Sequence, residues 1–116
     1  MIQTQTSKQS FYKNLHQNLP ELEALKGKRI ATNDTWGAYH RTDATVYLMY
    51  ELRYQFWGQI RTQRLRREGL KEAYENEIDY FILWESPDLE QTLFKNERLV
   101  FSDTFPRMAV YEISRR

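Results

Sequence analysis

The chain has no cysteine, only four glycines and three prolines, and almost no net charge: seventeen basic side chains face sixteen acidic ones, for a formal charge of +1. Without cysteine there are no disulfides and no thiolate metal sites. That leaves the compartment open, since a domain of this size needs no disulfide in the cytosol or the periplasm. The balanced charge argues against a general nucleic-acid binder, which would carry a clear basic excess, although a local basic patch is compatible with it. No stretch approaches the ~18 consecutive apolar residues of a membrane helix. The N-terminus, MIQTQTSKQS, is polar and lacks the apolar centre of a signal peptide, so the chain as given reads as soluble. The motifs that would assign a nucleotide or hydrolase class, GxGxxG, a GK[ST] phosphate loop, HExxH and GxSxG, are all missing.

What is present is enough for one domain. Hydrophobic residues make up 41% and aromatics 15% of 116 residues, sufficient to fill a single core. Residues 1–7 read as a flexible polar lead-in and 8–116 as one α/β domain. Phe11, Leu15, Leu19 and Leu22 recur at helical spacing. Pro20 predicts a break near Leu19 and a short second turn that ends at Gly27. Lys28 to Thr32 reads as a strand with Ile30 and Ala31 buried. Thr42 and Asp43 are candidate N-caps for a helix from Ala44 to Leu52. Tyr54, Phe56, Gly58 and Ile60 share one side of a period-two pattern, which predicts a strand. Glu68 to Asn76 predicts a helix whose start reaches back towards Thr62, with Asn76 as a left-handed C-terminal residue. IDYFILW, residues 78–84, is apolar on both faces, as in a covered central strand. Ser86-Pro87-Asp88 is a helix start, with Ser86 as cap and Pro87 at the first helical position. Leu99 to Phe101 and Met108 to Ile113 close the chain as a hairpin joined by residues 102–107. Alternation of this kind predicts a single small layered α/β domain. Its sheet is expected to be mostly parallel, of about five strands, with helices on both faces and a C-terminal antiparallel hairpin.

Two groups of residues are candidates for binding. The first is the loop after the 28–32 strand, with Asn33, Asp34, Trp36, Tyr39, His40 and Arg41. In open α/β sheets, ligands bind at the carboxyl ends of the strands. Here Asn33 and Asp34 offer acceptors, His40 and Arg41 donors, and Trp36 and Tyr39 flat faces for stacking on a sugar or base. The competing reading is a plain connection anchored by Trp36. Asp34, His40 and Asp43 match no dependable metal-ligand spacing, and no nucleophile accompanies His40, so no metal and no catalytic residue is assigned. Asn33-Asp34-Thr35 also fits the common N-glycosylation triplet. The second group is Arg61, Arg64, Arg66 and Arg67, which suits contact with an anion or a lipid phosphate. Its alternative is a solvated run paired with Glu68, Glu72 and Glu75. Glu85 and Asp88, after the central strand, are two carboxylates available for acid–base work, or simply a strand-end charge and a helix-start residue.

The segments KGKRIATNDTW, VYLMYELRYQFWGQI, GLKEAYENEIDYFILWES and RLVFSDTFPRMAVYEI, in this order, carry a resemblance. Together they are similar to the soluble C-terminal domain of bacterial polytopic glycosyltransferases of the dolichyl-phosphate-mannose protein mannosyltransferase and aminoarabinose transferase type. The points of likeness are a G-K-hydrophobic-A strand, a Y-x-x-Y helix leading into an aromatic-Gly strand, an I-D-Y central strand and a closing hydrophobic-Y-E-hydrophobic strand. The likeness spans roughly residues 25 to 114, and each motif is a structural pattern rather than a chemical one. It implies a non-catalytic accessory domain on the periplasmic or extracytoplasmic face, since the catalytic carboxylates of such enzymes lie among membrane helices. It also implies that upstream helices direct export. The implied partners are the membrane domain of the parent protein and a glycan or polyprenyl-phosphate sugar; no cofactor is implied. Two alternatives remain: a stand-alone α/β domain binding an anionic metabolite or nucleotide, and, against the charge balance, a basic-patch nucleic-acid binder.

Overall fold

Five strands, β1 (Arg29–Thr32), β2 (Gln55–Gln59), β3 (Tyr80–Trp84), β4 (Arg98–Thr104) and β5 (Arg107–Glu112), form one sheet in the order β2-β1-β3-β5-β4. They are seen in a computed structural model that describes residues 12–33, 39–104 and 107–114, and of residues 39–44 the backbone alone. The polar lead-in, Phe11, the tip of the closing hairpin and residues 34–38 lie outside the described residues.

The sheet is mixed, which corrects the expectation of a mostly parallel one. β1 pairs in parallel with both β2 and β3, whereas β5 is antiparallel to both β3 and β4. The cause is the crossover from β3 to β4, which passes over one strand position. β5 then occupies the place between β3 and β4, so both of its neighbours run against it.

Helices cover both faces. On the first face lie α1 (helical over residues 12–17), α2 (Leu19–Leu22), a 3-10 turn (Glu23–Leu25) and α3 (Tyr39–Leu52). On the second lie α4 (Thr62–Glu68), α5 (Lys71–Glu75) and α6 (Pro87–Gln91). Strand alternation sorts the core between them. Ile30, Tyr80, Ile82, Trp84, Met108 and Val110 pack with Leu15, Leu22, Leu48 and Leu52. Ala31, Phe81, Leu83, Ala109 and Tyr111 pack with Leu65, Ala73, Leu89 and Phe94. All five residues of β3 are buried, as the unbroken apolar run YFILW requires of a strand covered on both sides.

Local signals set most boundaries. The first helical stretch breaks at Asn18, and Pro20 sits in the first turn of α2, where its missing N–H costs nothing. Gly27 follows the 3-10 turn with φ +73°, a left-handed conformation that glycine adopts without a Cβ penalty. Several expected details differ. α3 already runs from Tyr39, so Thr42 and Asp43 lie inside it rather than capping it. Gly37 is the last helix breaker before Leu52, and each residue added to an existing helix gains a hydrogen bond at low cost. The expected helix over 68–76 is two pieces, because Gly69, with φ +66°, ends α4 and turns the chain into α5. Asn76 has φ −98° and Glu77 takes the left-handed position at +54°. The Asn76 side chain instead donates to the Glu72 carbonyl at 2.8 Å.

The period-two reading of β2 also needs correction. Ile30 pairs with Phe56 but the next residue, Ala31, pairs with Gly58, so a bulge consumes Trp57. One extra residue exchanges the two faces. Tyr54 therefore joins the first core and Ile60 the second, although sequence alternation puts them on one side. Gly58 accommodates the bulge at φ +157°.

The closing hairpin is tied to α6 by an internal ion pair. Glu90 accepts from Arg107 Nε at 2.8 Å, again from the same guanidinium through Nη2, and from the Tyr111 hydroxyl at 3.0 Å. Burial alone would push the Glu90 carboxyl up, but the Arg107 and Tyr111 hydrogen bonds outweigh it and hold the group below its usual range. Burial, then the neighbouring Glu90, raises Tyr111 to about 12. A depressed carboxylate stabilises the fold fully above its unfolded pKa, about 4.3, and loses that contribution as pH falls through its folded value. Glu90→Gln should therefore cost about 1–2 kcal/mol at neutral pH, and the gap between variant and parent should narrow below pH ~4. Urea unfolding of both proteins across pH 3–7 measures this.

Candidate functional site

β1, β2 and β3 all end on one edge of the sheet, and that edge contains a topological switch. The chain leaves β1 for α3 on the first face and leaves β3 for α6 on the second. Adjacent parallel strands whose connections depart to opposite faces open a crevice between their carboxyl ends, the usual ligand position in such sheets.

Asn33 follows the carboxyl end of β1 at this switch point and is buried, with 3% of its surface exposed. Its carboxamide reads the end of β3 like one more rung of the ladder. Trp84 N–H donates to Asn33 Oδ1 at 2.7 Å, and Asn33 Nδ2 donates to the Trp84 carbonyl at 3.0 Å. The same nitrogen reaches Thr62 Oγ1 at 3.0 Å and Ser86 Oγ at 3.3 Å. Ser86 in turn donates to the Trp84 carbonyl at 3.0 Å and makes no side-chain cap on α6, which corrects its expected capping role; the hydroxyl is already committed to the strand end. One rung below, the Thr32 hydroxyl donates to the Ile82 carbonyl at 2.8 Å. Asn33 thus fastens the starts of α4 and α6 to the switch point, and its amide is engaged inside the protein.

The other loop candidates divide into two groups. Asp34 and Trp36 lie outside the described residues. Tyr39, His40 and Arg41 occupy the first turn of α3 rather than a loop; their side chains are outside the description.

The arginine cluster follows β2 on the same edge. Arg64 meets Glu72 at 2.8 Å and Glu68 at 3.2 Å, and Arg67 approaches Glu68 at 3.7 Å. Gly69, with φ +66°, turns the chain between α4 and α5, and Glu72 of α5 thereby meets Arg64 of α4. Arg66 projects the other way and binds Asp88 of α6 through Nη2 at 2.9 Å and Nε at 3.2 Å. That hydrogen bond is the main reason the Asp88 carboxyl lies below its ordinary range, so Asp88 is poorly suited to act as a general acid at neutral pH. Glu85 sits in the left-handed region with φ +46°, its N–H bonded to the Arg107 carbonyl at 2.8 Å. Arg61 has no ion-pair partner among the described residues. With Gln59, Gln63, Arg64 and Arg67 it lines a shallow depression of about 290 Å³. Among the described residues no group of His, Cys, Asp and Glu gathers in a metal-binding arrangement, and no helix is long and apolar enough to cross a membrane.

Sequence reasoning saw the arginines and their pairing with Glu68 and Glu72. It missed the link to Asp88, because a contact across 22 positions leaves no local periodicity. It also missed the committed state of Asn33, for which the one available signal was a polar residue placed directly after an apolar strand.

No family model, curated protein or solved structure matches this chain.

Proposed function

We propose that the chain is a non-catalytic accessory domain of a membrane-bound glycosyltransferase that uses a polyprenyl-phosphate sugar donor. Its carboxyl sheet edge would face acceptor glycan or lipid phosphate. The observation that carries this reading is positional. The segments bearing the family resemblance fall on β1, on α3 with β2, on β3, and on β4 with β5, and the first three end on the edge that holds both Asn33 and the arginine depression. The extracytoplasmic location and the membrane-domain partner follow from the kinship alone. The switch point and Arg61, which has no ion-pair partner among the described residues, favour a second reading, a stand-alone α/β domain that binds an anionic metabolite at the same edge.

The gene separates the two readings. In-frame sequence upstream of Met1 should encode several apolar segments of about 20 residues each, as determined by sequencing the locus and its transcript. A stop codon immediately upstream would overturn the accessory-domain reading and leave the metabolite reading standing.

A further inference from the structure

We propose that the depression after β2 is a binding site for a phosphate ester group, held by Arg61, Arg64 and Arg67 with Gln59 as a neutral donor. This inference rests on the geometry of the depression and not on the kinship, so it survives if the accessory-domain reading fails.

Three observations converge. The lining is wholly basic or neutral: three arginines and two glutamines, with no carboxylate. Charge runs that merely face water are usually interleaved with counterions; here the counterions stand at the rim. Glu68 and Glu72 hold Arg64 from the α4–α5 side, and Glu68 reaches Arg67 at 3.7 Å, close to the limit of an ion pair. Arg61 has no acidic partner among the described residues. Further, Gln59 lines the depression, and its Nε2 is buried without an acceptor among the described residues. A buried donor left unpaired is costly, and an incoming oxygen would satisfy it after a small rotation of the side chain.

The chemistry selects phosphate. A guanidinium presents planar paired donors that match two oxygens at once, and several converging guanidiniums suit a group with three or four oxygens better than a single carboxylate. Arg64 and Arg67 sit three residues apart on α4 and so share one face of it, while Arg61 precedes the helix and closes the group from the strand side. The near-neutral total charge argues against a polyanion binder with a general basic excess.

A phosphate group can come from a soluble ester or from a lipid headgroup, and the test separates them. The full chain, labelled with ¹⁵N, is titrated with inorganic phosphate in one arm. In the other it is titrated with phosphatidylcholine vesicles, with and without phosphatidate. Saturable shifts or broadening at Gln59, Arg61, Arg64 and Arg67 are expected in at least one arm. Phosphate alone assigns a soluble ester; phosphatidate vesicles alone assign a headgroup. Arg61→Gln combined with Arg67→Gln should weaken the interaction by about tenfold or more. Both side chains are exposed, so the fold should be unaffected, which circular dichroism checks. Glu68→Gln removes the competing carboxylate and should tighten binding several-fold. Binding should also weaken as salt rises. No response in either arm, or a response unchanged by the double substitution, would overturn the proposal. So would a short single-stranded RNA that produces the same shifts at much lower concentration than either probe.

Discussion

Phe81→Ala is expected to destabilise the protein by about 3–5 kcal/mol, a large part of the ~5–15 kcal/mol that holds a typical domain together. Phe81 is fully buried in the central strand. Its ring packs on Phe94, with centroids 5.3 Å apart and planes tilted by 49°, and Phe94 stacks on Tyr111 at 5.0 Å. This chain of three rings joins β3, the segment after α6 and β5, so the substitution removes contacts on three elements at once. The cavity left between a sheet and short helices has little freedom to collapse. Phe81→Leu keeps most of the volume and should cost less than half as much. Chemical denaturation of the three proteins measures the series, and equal midpoints for parent and Phe81→Ala would contradict the packing described.

Asn33→Ala should cost about 2–4 kcal/mol, well above an average single hydrogen bond, because it strands buried partners. The Trp84 N–H would lose its acceptor at 2.7 Å, and Thr62 and Ser86 would lose a shared donor. Asn33→Asp is the informative companion. A carboxylate could still accept from Trp84 N–H but would face the Trp84 carbonyl across 3.0 Å with no proton to give. Its penalty should therefore shrink at low pH, where the protonated acid regains a donor, whereas the alanine penalty should not change with pH on that account. If both variants melt like the parent, the switch point is not held as described.

The same two residues show what could be read from the sequence. Phe81 sits in the apolar run Tyr80–Trp84, and burial on both faces was legible because no polar residue interrupts YFILW. Asn33 was legible only as a polar residue at a strand end. Whether such an amide faces ligand or protein depends on residues 51 and 53 positions away, Trp84 and Ser86, which no local pattern connects to it. That β1, β2 and β3 run the same way followed from alternating strands and helices with right-handed crossovers; their order, with β1 between the other two, did not. The insertion of β5 did not, because a hairpin signal says that two strands are antiparallel but not which of them meets the rest of the sheet. The bulge at Trp57 was hidden for a related reason. Period-two counting assumes that every residue advances the ladder, and Gly58 was the one mark that it does not. Among the arginines, the sequence offered pairing with Glu68, Glu72 and Glu75 without separating one arginine from another; the fold sets Arg64 on the first two, and it alone brought Arg66 to Asp88.

Function at the carboxyl edge depends on where a ligand touches the chain. The most direct measurement is a ¹H–¹⁵N chemical-shift map of the full chain titrated with a water-soluble short-chain polyprenyl phosphate. The expected result is a saturable response confined to the ends of β1, β2 and β3 and the start of α4, including Asn33, Gln59, Arg61, Arg64 and Arg67. A response centred on the opposite end of the sheet, around Gly27, Arg53 and Glu77, or no response at concentrations that saturate the vesicle assay, would contradict it.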